Sequence, residues 1–396
     1  MLQQDHYKKS VYKTPFHERT SELNILNEWT RWKDYTVSTN YFRTDLEYFA
    51  VRNTTGVIDY TPMVKQKITG PDAAEFVNRF FTRDMDKIAI GRVGYVVWCD
   101  EQGQVLDDGT VFHIRENEYW LLCVERQLDN LGIAAIGFDV KIEEITDDIA
   151  CLGVQGPTSC SILKAMGFEG IEHLKPFDIK HYDFQNQEII ISRTGFSGDL
   201  GYEVCMVNEV ALDFWDVLFD KGEIYGIHPF GLDALDLVRI EAGLLVPGQD
   251  FMVAEDAIRP GSTRSPFELG LSWLVDLSKP VFNGRQALLE EKKRGSRYTF
   301  VKLNVNGNKP AEGSYLYNQS GKKIGNVTSA MFSPSAKANI AFASLHDPWK
   351  KGKDKIVAEI YYQKDLEWNK VMEEETIVTK PFFDPDRKRT TPAELY

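Results

Sequence analysis

The chain has 396 residues, of which 43% are hydrophobic and 27% charged, and its formal net charge is −13. This length exceeds what a single hydrophobic core serves and predicts two or three domains. The composition is typical of a folded globular protein and excludes a mainly disordered, collagen-like or coiled-coil chain. Because nucleic-acid binding needs a positive surface, the acidic balance without a Lys/Arg-rich run predicts no nucleic-acid partner.

The sequence also lacks the usual signals for membranes and metals. Residues 1–20 contain no apolar stretch of signal-peptide length, and no window approaches the roughly 18 apolar residues of a spanning helix. We therefore predict a cytoplasmic protein without membrane contact. The five cysteines are scattered, with no CxxC pair and no zinc-type spacing to histidine. They predict buried thiols in a reducing compartment and no metal site.

In the first half of the chain, the pattern changes from helical to mainly strand-like. Residues 20–50 carry only weak helix signals. Residues 56–70 alternate apolar and polar side chains and predict strands, and residues 71–81 predict a helix opened by Pro71. Residues 91–124 contain three strand-like runs separated by turns at EQGQ and REN.

The second half predicts further helices and then a β-rich end. Helices are predicted at residues 157–167, 211–222 and 231–245. Residues 188–207 predict two strands around a glycine-rich loop. From about residue 298, short strands with turn residues predict a separate C-terminal unit.

Carboxylates are the remaining candidates for chemistry, since the sequence contains no P-loop, dinucleotide fingerprint or nucleophile elbow. Asp107 and Asp108 are adjacent in the predicted hairpin of residues 91–124. Neighbouring side chains on a strand point to opposite faces, so one is expected to face solvent and the other a cavity. A carboxylate in an apolar cavity is costly unless it is paired or functional. The alternative is a solvated turn pair.

A glycine-rich loop is the second candidate feature. RTGFSGDLGYE (193–203) has three glycines between positions 195 and 201 and ends in Glu203. Glycine permits positive φ and a close approach of the backbone to a ligand. The alternative is a glycine-rich hairpin loop without a ligand.

These segments resemble the aminomethyltransferase family, whose type member is the tetrahydrofolate-dependent T component of the glycine cleavage system. RTGFSGDLGYEV is similar to the family signature RTGYTGEDGxE, and DEQGQVLDDGTVF (100–112) is similar to its hairpin motif NExGGIlDDlxV. Further matches follow in chain order along nearly the whole sequence: KTPFHERT (13–20), VRNTTGVIDYTPM (51–63), VQGP (154–157), GLDALDLVRIEAGL (231–244), LSWLVDLSKPVFNGRQAL (271–288) and IGNVTSAMFSPSAKANIAFASL (324–345). The chain is identified on these motifs as a member of the family.

The resemblance implies an α+β fold of three domains in a clover-like arrangement around a central folate channel. Residues 1–58 and 146–240 correspond to a discontinuous folate-binding domain. Residues 59–145 and 241–290 correspond to the domain that carries the aspartate hairpin. Residues 291–396 correspond to a β-rich, barrel-like C-terminal domain.

The resemblance also assigns roles to individual positions. The second aspartate of the family's pair is its catalytic carboxylate, which is Asp108 here. Glu203 corresponds to the glutamate that binds the pterin of tetrahydrofolate, since a carboxylate accepts two parallel N–H bonds from an aminopyrimidine edge. Phe196 keeps the aromatic ring of the glycine-rich motif without its hydroxyl.

Three further positions correspond to the walls of the folate channel. Met63 and Tyr95 occupy positions that line the channel in the family. Trp273 is either another wall residue or part of the core.

The chain departs from the glycine-cleavage type in two places. Leu235 stands where that type has an arginine that contacts the folate tail. Arg239 or another basic residue is then left to meet the tail carboxylates, unless Arg239 pairs with Asp236 or Glu241. Residues 250–264 form an insertion that we expect to reshape the substrate entrance.

Three functions remain open from the sequence. The N-terminal segment lacks the FAGWxxPVxY pattern of enzymes that use a lipoyl carrier, which favours demethylation of a small methylated substrate with formation of methyl-tetrahydrofolate. The alternatives are a glycine-cleavage aminomethyltransferase, with a lipoyl carrier protein as partner, and a folate-binding protein without catalysis. An aryl methyl ether donor requires a general acid. His113 is a candidate for this acid, but we expect it to have a structural role instead.

Overall fold

The computed structural model of the protein describes residues 11–259, 261–346 and 355–392. Two of our expectations, the absence of a signal peptide and the start of the first domain, concern residues 1–10. These residues lie outside the described ranges. So do parts of the predicted insertion and of the C-terminal unit, namely Pro260, residues 347–354 and residues 393–396.

The described residues form twenty strands. In chain order they are β1 (Tyr12–Lys13), β2 (Glu28–Trp32), β3 (Tyr35–Asn40), β4 (Thr55–Asp59), β5 (Val64–Thr69), β6 (Arg92–Cys99), β7 (Val105–Arg115), β8 (Glu118–Cys123), β9 (Lys141–Glu144), β10 (Ile149–Gln155), β11 (Ile179–Phe184), β12 (Gln187–Ser192), β13 (Gly201–Val207), β14 (Ile227–Pro229), β15 (Tyr298–Val305), β16 (Tyr315–Asn318), β17 (Lys323–Ser333), β18 (Ala338–His346), β19 (Ile356–Lys364) and β20 (Glu367–Val378).

The strands form four sheets. The order is β1-β3-β2 in a small N-terminal sheet, β11-β12-β13-β10-β4-β14 in a six-stranded sheet and β6-β7-β8-β5-β9 in a five-stranded sheet. The C-terminal strands close into a barrel in the order β15-β18-β17-β16-β19-β20. The expected α+β fold class with a C-terminal barrel is confirmed.

The helices cover the sheets and connect them. They are α1 (His17–Leu23), α2 (Thr44–Asn53), α3 (Ala73–Phe80), α4 (Leu128–Ala134), α5 (Ser159–Ala165), α6 (Ala211–Gly222), α7 (Leu232–Ala242) and α8 (Arg285–Arg294). Helix α3 follows its predicted apolar face, because Phe76, Val77 and Phe80 are all buried. The predicted helices at 157–167, 211–222 and 231–245 appear as α5, α6 and α7.

The sequence pattern over residues 20–50 gave only weak helix signals and did not predict the hairpin that β2 and β3 form there. The two strands pair antiparallel around a turn in which Lys33 has a φ of 55°. Strand β2 is only half buried, so it lacks the clear alternation that identifies a strand in sequence. Strand β3 is stabilised mainly by tertiary packing.

Two hydrophobic clusters position the centre of the molecule. One joins the six-stranded and five-stranded sheets and contains Tyr60, Phe112, Ile190 and Cys205. The other joins β6 and β7 to helix α7 and to the barrel. Met331 of the barrel strand β17 packs against both clusters, so the three units meet at one place.

We propose that the domain boundaries follow the sheets. The six-stranded sheet draws its strands from residues 55–59 and 149–229, the five-stranded sheet from residues 64–144, and the barrel from residues 298–378. The breaks after residues 58, 145, 240 and 290 remain part of this proposal, and the sheets bear on the first two of them and on the start of the barrel.

Glu375 of β20 is a buried carboxylate in the barrel. Its titration makes the stability of the barrel depend on pH, which can be tested. The residue is 7% exposed, and neither carboxylate oxygen has a hydrogen-bond partner among the described residues. Burial, with a smaller contribution from the charge of Glu373, raises the pKa of Glu375 from 4.5 to about 8. The folded barrel therefore keeps a proton that the unfolded chain releases, and stability falls as pH rises from 4.5 to about 8.

We expect Glu375→Gln to remove this pH dependence. Near pH 5 the variant and the parent should unfold at similar temperatures, while at pH 8 the variant should be more stable by about 2–4 kcal/mol. Thermal unfolding at several pH values measures the difference. Glu374→Gln, at an exposed position that pairs with Lys355, is the control. Equal pH dependence in the parent and Glu375→Gln would contradict the assignment.

Candidate functional site

Both aspartates of the hairpin are buried. Asp108 lies in β7 opposite Val97 of β6 and is 7% exposed, and Asp107 is 0% exposed. The expectation that one of the two faces solvent is therefore wrong, and so is the alternative of a solvated turn pair. Strand β7 is central, with β6 and β8 on either side and hydrophobic clusters on both faces.

Asp107 has a structural role in the hairpin. Its Oδ1 accepts a hydrogen bond from the backbone N–H of Asp108 at 2.8 Å, and its Oδ2 accepts one from the backbone N–H of Glu125 at 3.2 Å. The side-chain amide of Gln127 lies 3.4 Å from the same Oδ2. Burial, followed by the charge of Asp108, raises the pKa of Asp107 well above its usual value.

Asp108 is paired with a tyrosine of the neighbouring strand. The Tyr95 hydroxyl donates a hydrogen bond to Oδ2 of Asp108. Burial raises the pKa of Asp108 to about 6, although the bond from Tyr95 opposes the shift. Burial also raises the pKa of Tyr95 well above its usual value. At neutral pH the pair is therefore a desolvated carboxylate beside a protonated phenol.

An exposed tryptophan and an arginine lie next to this pair. The rings of Tyr95 and Trp273 are 5.9 Å apart between centroids, and Trp273 is 62% exposed, so it is not a core residue. Arg83 donates a hydrogen bond to the carbonyl oxygen of Tyr95 at 2.9 Å, and its Cζ lies 5.9 Å from the Trp273 ring centroid. Together these side chains place an aromatic and cationic rim beside the buried carboxylate.

Glu203 forms a second buried carboxylate, on β13 of the six-stranded sheet. It is 9% exposed, and Thr194 donates a hydrogen bond to its Oε2 at 2.6 Å. The Ser192 hydroxyl lies 2.6 Å from that of Thr194 and extends the chain of polar groups. Burial raises the pKa of Glu203, and the bond from Thr194 opposes this.

The glycines of the loop make room for a side chain of the protein itself. A Cβ on Gly195 or Gly201 would lie 2.0 or 2.2 Å from Oε1 of Gln155. Gln155 accepts a hydrogen bond from Ser197 at 2.7 Å. The close approach that the sequence predicted for a ligand is therefore accounted for by Gln155, and Phe196 is left half-buried in the same loop.

Residues that follow β20 hold the glycine-rich loop (193–203) in place. Arg387 donates two hydrogen bonds to the carboxylate of Asp199, at 2.6 and 2.7 Å. Arg193 in turn donates to the carbonyl oxygen of Thr390 at 2.5 Å. Sequence reasoning missed these contacts because they join residues almost 200 positions apart.

Met63 follows β4 and lies between the two large sheets. Its side chain is half-buried and packs against the cluster that contains Tyr60 and Cys205. Its carbonyl oxygen accepts a hydrogen bond at 2.9 Å from the fully buried Lys65. Met63 is therefore on the same side of the six-stranded sheet as Cys205.

The structure thus brings the six predicted site residues together in two groups. One group, on the five-stranded sheet and its border, contains Asp108, Tyr95 and Trp273. The other contains Glu203 in β13, Phe196 in the loop before β13 and Met63 in the turn after β4, which lie in or beside the six-stranded sheet. Within the described ranges no hydrogen bond joins Asp108 to Glu203, and the groups are connected through the central hydrophobic clusters.

Arg239 is an internal ion-pair residue. It is 1% exposed and donates hydrogen bonds to Asp250 at 2.5 Å and to Asp236 at 2.7 Å. The alternative partner, Glu241, pairs instead with Arg52 at 2.7 Å. Leu235 packs against the central cluster. Arg239 is therefore not available to a folate tail.

The insertion packs on the aspartate hairpin. The carbonyl oxygen of Arg264 accepts a hydrogen bond from the backbone of Val105 at 2.9 Å, and the Thr263 hydroxyl donates to the side chain of Gln104 at 2.8 Å. Asp250, the first residue of the insertion, also raises the pKa of Asp108 through its charge. Sequence patterns gave no indication of this effect.

His113 is held by structural contacts. Its Nδ1 lies 2.8 Å from the carbonyl oxygen of Ile88, and its ring stacks on Tyr119 with centroids 4.3 Å apart. It lies five residues from Asp108 on β7 and so faces the opposite side of the sheet. These contacts and this orientation favour a structural role for His113 over a role as general acid.

The cysteines are buried, as predicted, but two of them meet. All five are unbridged and buried. Cys151 and Cys205 are directly paired across β10 and β13, with 3.0 Å between their sulfur atoms. The sequence did not predict this contact, because the two cysteines are 54 residues apart in the chain and meet only through strand register.

Two consecutive segments of the chain match family models for the two domains of one kind of protein. Residues 17–279 match the GCVT N-terminal domain, and residues 299–384 match the glycine cleavage T-protein C-terminal barrel domain. The chain belongs to the glycine cleavage T-protein family. As an enzyme of this family it is a tetrahydrofolate-dependent transferase, so that part of our expectation is confirmed and the alternative of a non-catalytic folate-binding protein is set aside.

Individual relatives agree with this assignment. An aminomethyltransferase of Caldanaerobacter subterraneus subsp. tengcongensis is 34% identical over 309 residues, which cover 76% of this chain and 79% of that protein. One from Bacillus subtilis is 31% identical over 343 residues, 85% and 90% of the two chains. The crystal structure of glycine cleavage system aminomethyltransferase T from Bartonella henselae shares the fold, with a TM-score of 0.83 at 23% identity over 95% of this chain and 99% of that one.

Residues 11–259, 261–346 and 355–392 contain neither a membrane-spanning helix nor a cluster of metal ligands. No helix in these ranges is both long enough and apolar enough to cross a bilayer. The same ranges contain no group of three or more His, Cys, Asp or Glu side chains arranged to hold a metal ion.

Proposed function

We propose that the enzyme transfers a one-carbon unit from an aminomethylated lipoyl carrier protein to tetrahydrofolate, with release of ammonia and formation of methylene-tetrahydrofolate. The observation that carries this proposal is the buried pair of Asp108 and Tyr95 at the place where the three units meet. The relatives called aminomethyltransferase support the aminomethyl donor.

The residues of the second group fit the pterin of tetrahydrofolate. Glu203 is a desolvated carboxylate with only Oε2 engaged in a hydrogen bond among the described residues. A buried acceptor of this kind suits the two parallel N–H groups of an aminopyrimidine edge. We propose Phe196 and Met63 as apolar walls beside it, and Tyr95 and Trp273 as walls near Asp108.

Asp108 is the proposed catalytic residue. Tetrahydrofolate supplies the nucleophilic ring nitrogen. The Asp108 carboxylate accepts a proton from that nitrogen, or holds a cationic donor carbon beside it, and the Tyr95 hydroxyl fixes the orientation of the carboxylate. Holding the two reactants in line contributes up to roughly 7–11 kcal/mol through proximity. A pKa of about 6 keeps Asp108 mostly ionised at neutral pH.

Methyl transfer from a small donor is the second candidate function. Two features favour it: Leu235, partly buried against the central cluster, stands where the glycine-cleavage type has an arginine, and the insertion packs on the aspartate hairpin. With a sulfonium or quaternary ammonium donor the leaving group is neutral, so the missing general acid is no obstacle.

Product analysis separates the two candidates. The purified protein is incubated with tetrahydrofolate and either an aminomethylated lipoyl carrier protein or a panel of sulfonium, betaine-like and methoxy-aromatic donors. We expect ammonia and methylene-tetrahydrofolate from the carrier and no methyl-tetrahydrofolate from the panel, detected by mass spectrometry. Methyl-tetrahydrofolate from a small donor, with an inactive carrier reaction, would replace the first proposal by the second.

A further inference from the structure

Tyr60 is a buried tyrosine whose hydroxyl group has no hydrogen-bond partner among the described residues. It is 2% exposed, and among the described residues no group hydrogen-bonds to its hydroxyl oxygen. A buried polar group without a partner costs about 1–3 kcal/mol and calls for an explanation. The pKa of Tyr60 is raised well above its usual value, first by burial and next by the charge of Glu203.

The sheet register places the Tyr60 ring on the face of the sheet that carries Glu203. Tyr60 follows β4, and its backbone N–H donates to the carbonyl oxygen of Cys151 in β10. Gly153 of β10 lies directly opposite Glu203 of β13. A Cβ on Gly153 would lie 2.4 Å from Cε2 of Tyr60, so the ring lies across Gly153, between β4 and β13, on the face that carries Glu203.

Gly153 is therefore the residue that admits the ring. Every other side chain would push Tyr60 away from this position, because the space above Gly153 is already filled by the ring edge and by Ile58. The far side of the ring is fixed by Trp32, whose ring meets that of Tyr60 edge-on at 6.4 Å between centroids. The protein thus holds a phenol in a defined place, and the part of the chain that the structure describes supplies no partner for its hydroxyl group.

We propose that the Tyr60 hydroxyl donates a hydrogen bond to the pterin ring bound at Glu203. This inference rests on the proposed role of Glu203. Glu203 accepts N–H groups of the aminopyrimidine edge, and the same heterocycle offers ring-nitrogen and carbonyl acceptors next to those N–H groups. A phenol that stays protonated is a suitable donor for them. Tyr60 therefore adds selectivity for a heterocycle that carries donor and acceptor side by side.

The test is the affinity of Tyr60→Phe for tetrahydrofolate, measured by anaerobic calorimetry beside thermal unfolding of the ligand-free protein. The change removes only the hydroxyl. We expect the dissociation constant to rise about 5- to 50-fold, while the unfolding temperature stays equal or increases because an unpaired buried group is gone. An unchanged dissociation constant, or a loss of stability of the ligand-free protein, would overturn the proposal.

Tyr202→Phe is the matched control. Tyr202 is also fully buried, and its hydroxyl lies against the thiol of Cys160, which is only a weak hydrogen-bond partner. It precedes Glu203 on β13 and so faces the other side of the sheet. Removing the Tyr202 hydroxyl should leave the affinity for tetrahydrofolate unchanged. An effect equal to that of Tyr60→Phe would show a general response of the sheet and would also overturn the proposal.

A double variant separates direct contact from an effect through Glu203. In the Glu203→Gln background, Tyr60→Phe should still weaken binding if the hydroxyl contacts the ligand, and disappearance of its effect would contradict the proposal. Failure of the wild-type protein to bind tetrahydrofolate would instead refute the proposed function. Normal binding that depends on Glu203 but not on Tyr60 would refute this inference alone.

Discussion

Asp108→Asn should lower the rate of one-carbon transfer by about 100-fold or more while leaving tetrahydrofolate affinity nearly unchanged. Asparagine keeps the volume of the side chain and a hydrogen-bond acceptor for Tyr95, but it neither takes a proton nor carries a negative charge. The loss should therefore appear in kcat. Single-turnover kinetics with saturating tetrahydrofolate measures it, and a rate within a few-fold of the parent would remove Asp108 from the mechanism.

The pH profile gives an independent readout of the same carboxylate. Because the pKa of Asp108 is about 6, transfer by the parent should fall as pH decreases through 6, and the slow variant should lack this limb. Burial of the charge also costs stability above the unfolded pKa. Asp108→Asn should consequently unfold at a higher temperature than the parent at pH 8, with little difference at pH 4.

Asp107→Asn is the matched control for this experiment. Asp107 is adjacent in sequence and equally buried, but its oxygens accept hydrogen bonds from the backbone N–H groups of Asp108 and Glu125. The single amide oxygen of asparagine keeps one of these bonds, and its amide nitrogen cannot accept the other. We expect this variant to change stability while the transfer rate stays within about threefold of the parent.

Glu203→Ala should weaken tetrahydrofolate binding by roughly 2–4 kcal/mol, or about 30- to 900-fold in the dissociation constant. The substitution removes a desolvated carboxylate that we place against two N–H groups of the pterin, and a buried donor pair without an acceptor is costly. Equilibrium binding under anaerobic conditions measures the effect.

Two further variants complete the Glu203 test. Glu203→Gln keeps the volume and one acceptor oxygen, so it should fall between the parent and alanine. Glu209→Ala removes an exposed carboxylate just beyond the same strand and should bind normally. Normal binding by Glu203→Ala would contradict the pterin assignment even if the enzyme remained active.

The elements that formed as predicted are those with a local pattern. Helix α3 appeared because its apolar residues share one face, and strands β6 to β8 appeared because turn residues separate their apolar runs. The strands β2 and β3 were missed because their alternation is weak. Burial of Asp107 and Asp108 was also mispredicted, since period-two alternation does not reveal that both faces of a central strand are covered.

The sequence alone determined the family, the fold class and the choice of Asp108 and Glu203, because each lies in a motif whose residues are close together in the chain. Only the tertiary structure decided what surrounds them. The bond from Tyr95, the effect of Asp250, the burial of Arg239, the fit of Gln155 between two glycines and the unpaired hydroxyl of Tyr60 all depend on strand register and domain packing. These place residues far apart in the chain within a few ångströms, and no local pattern encodes such distances.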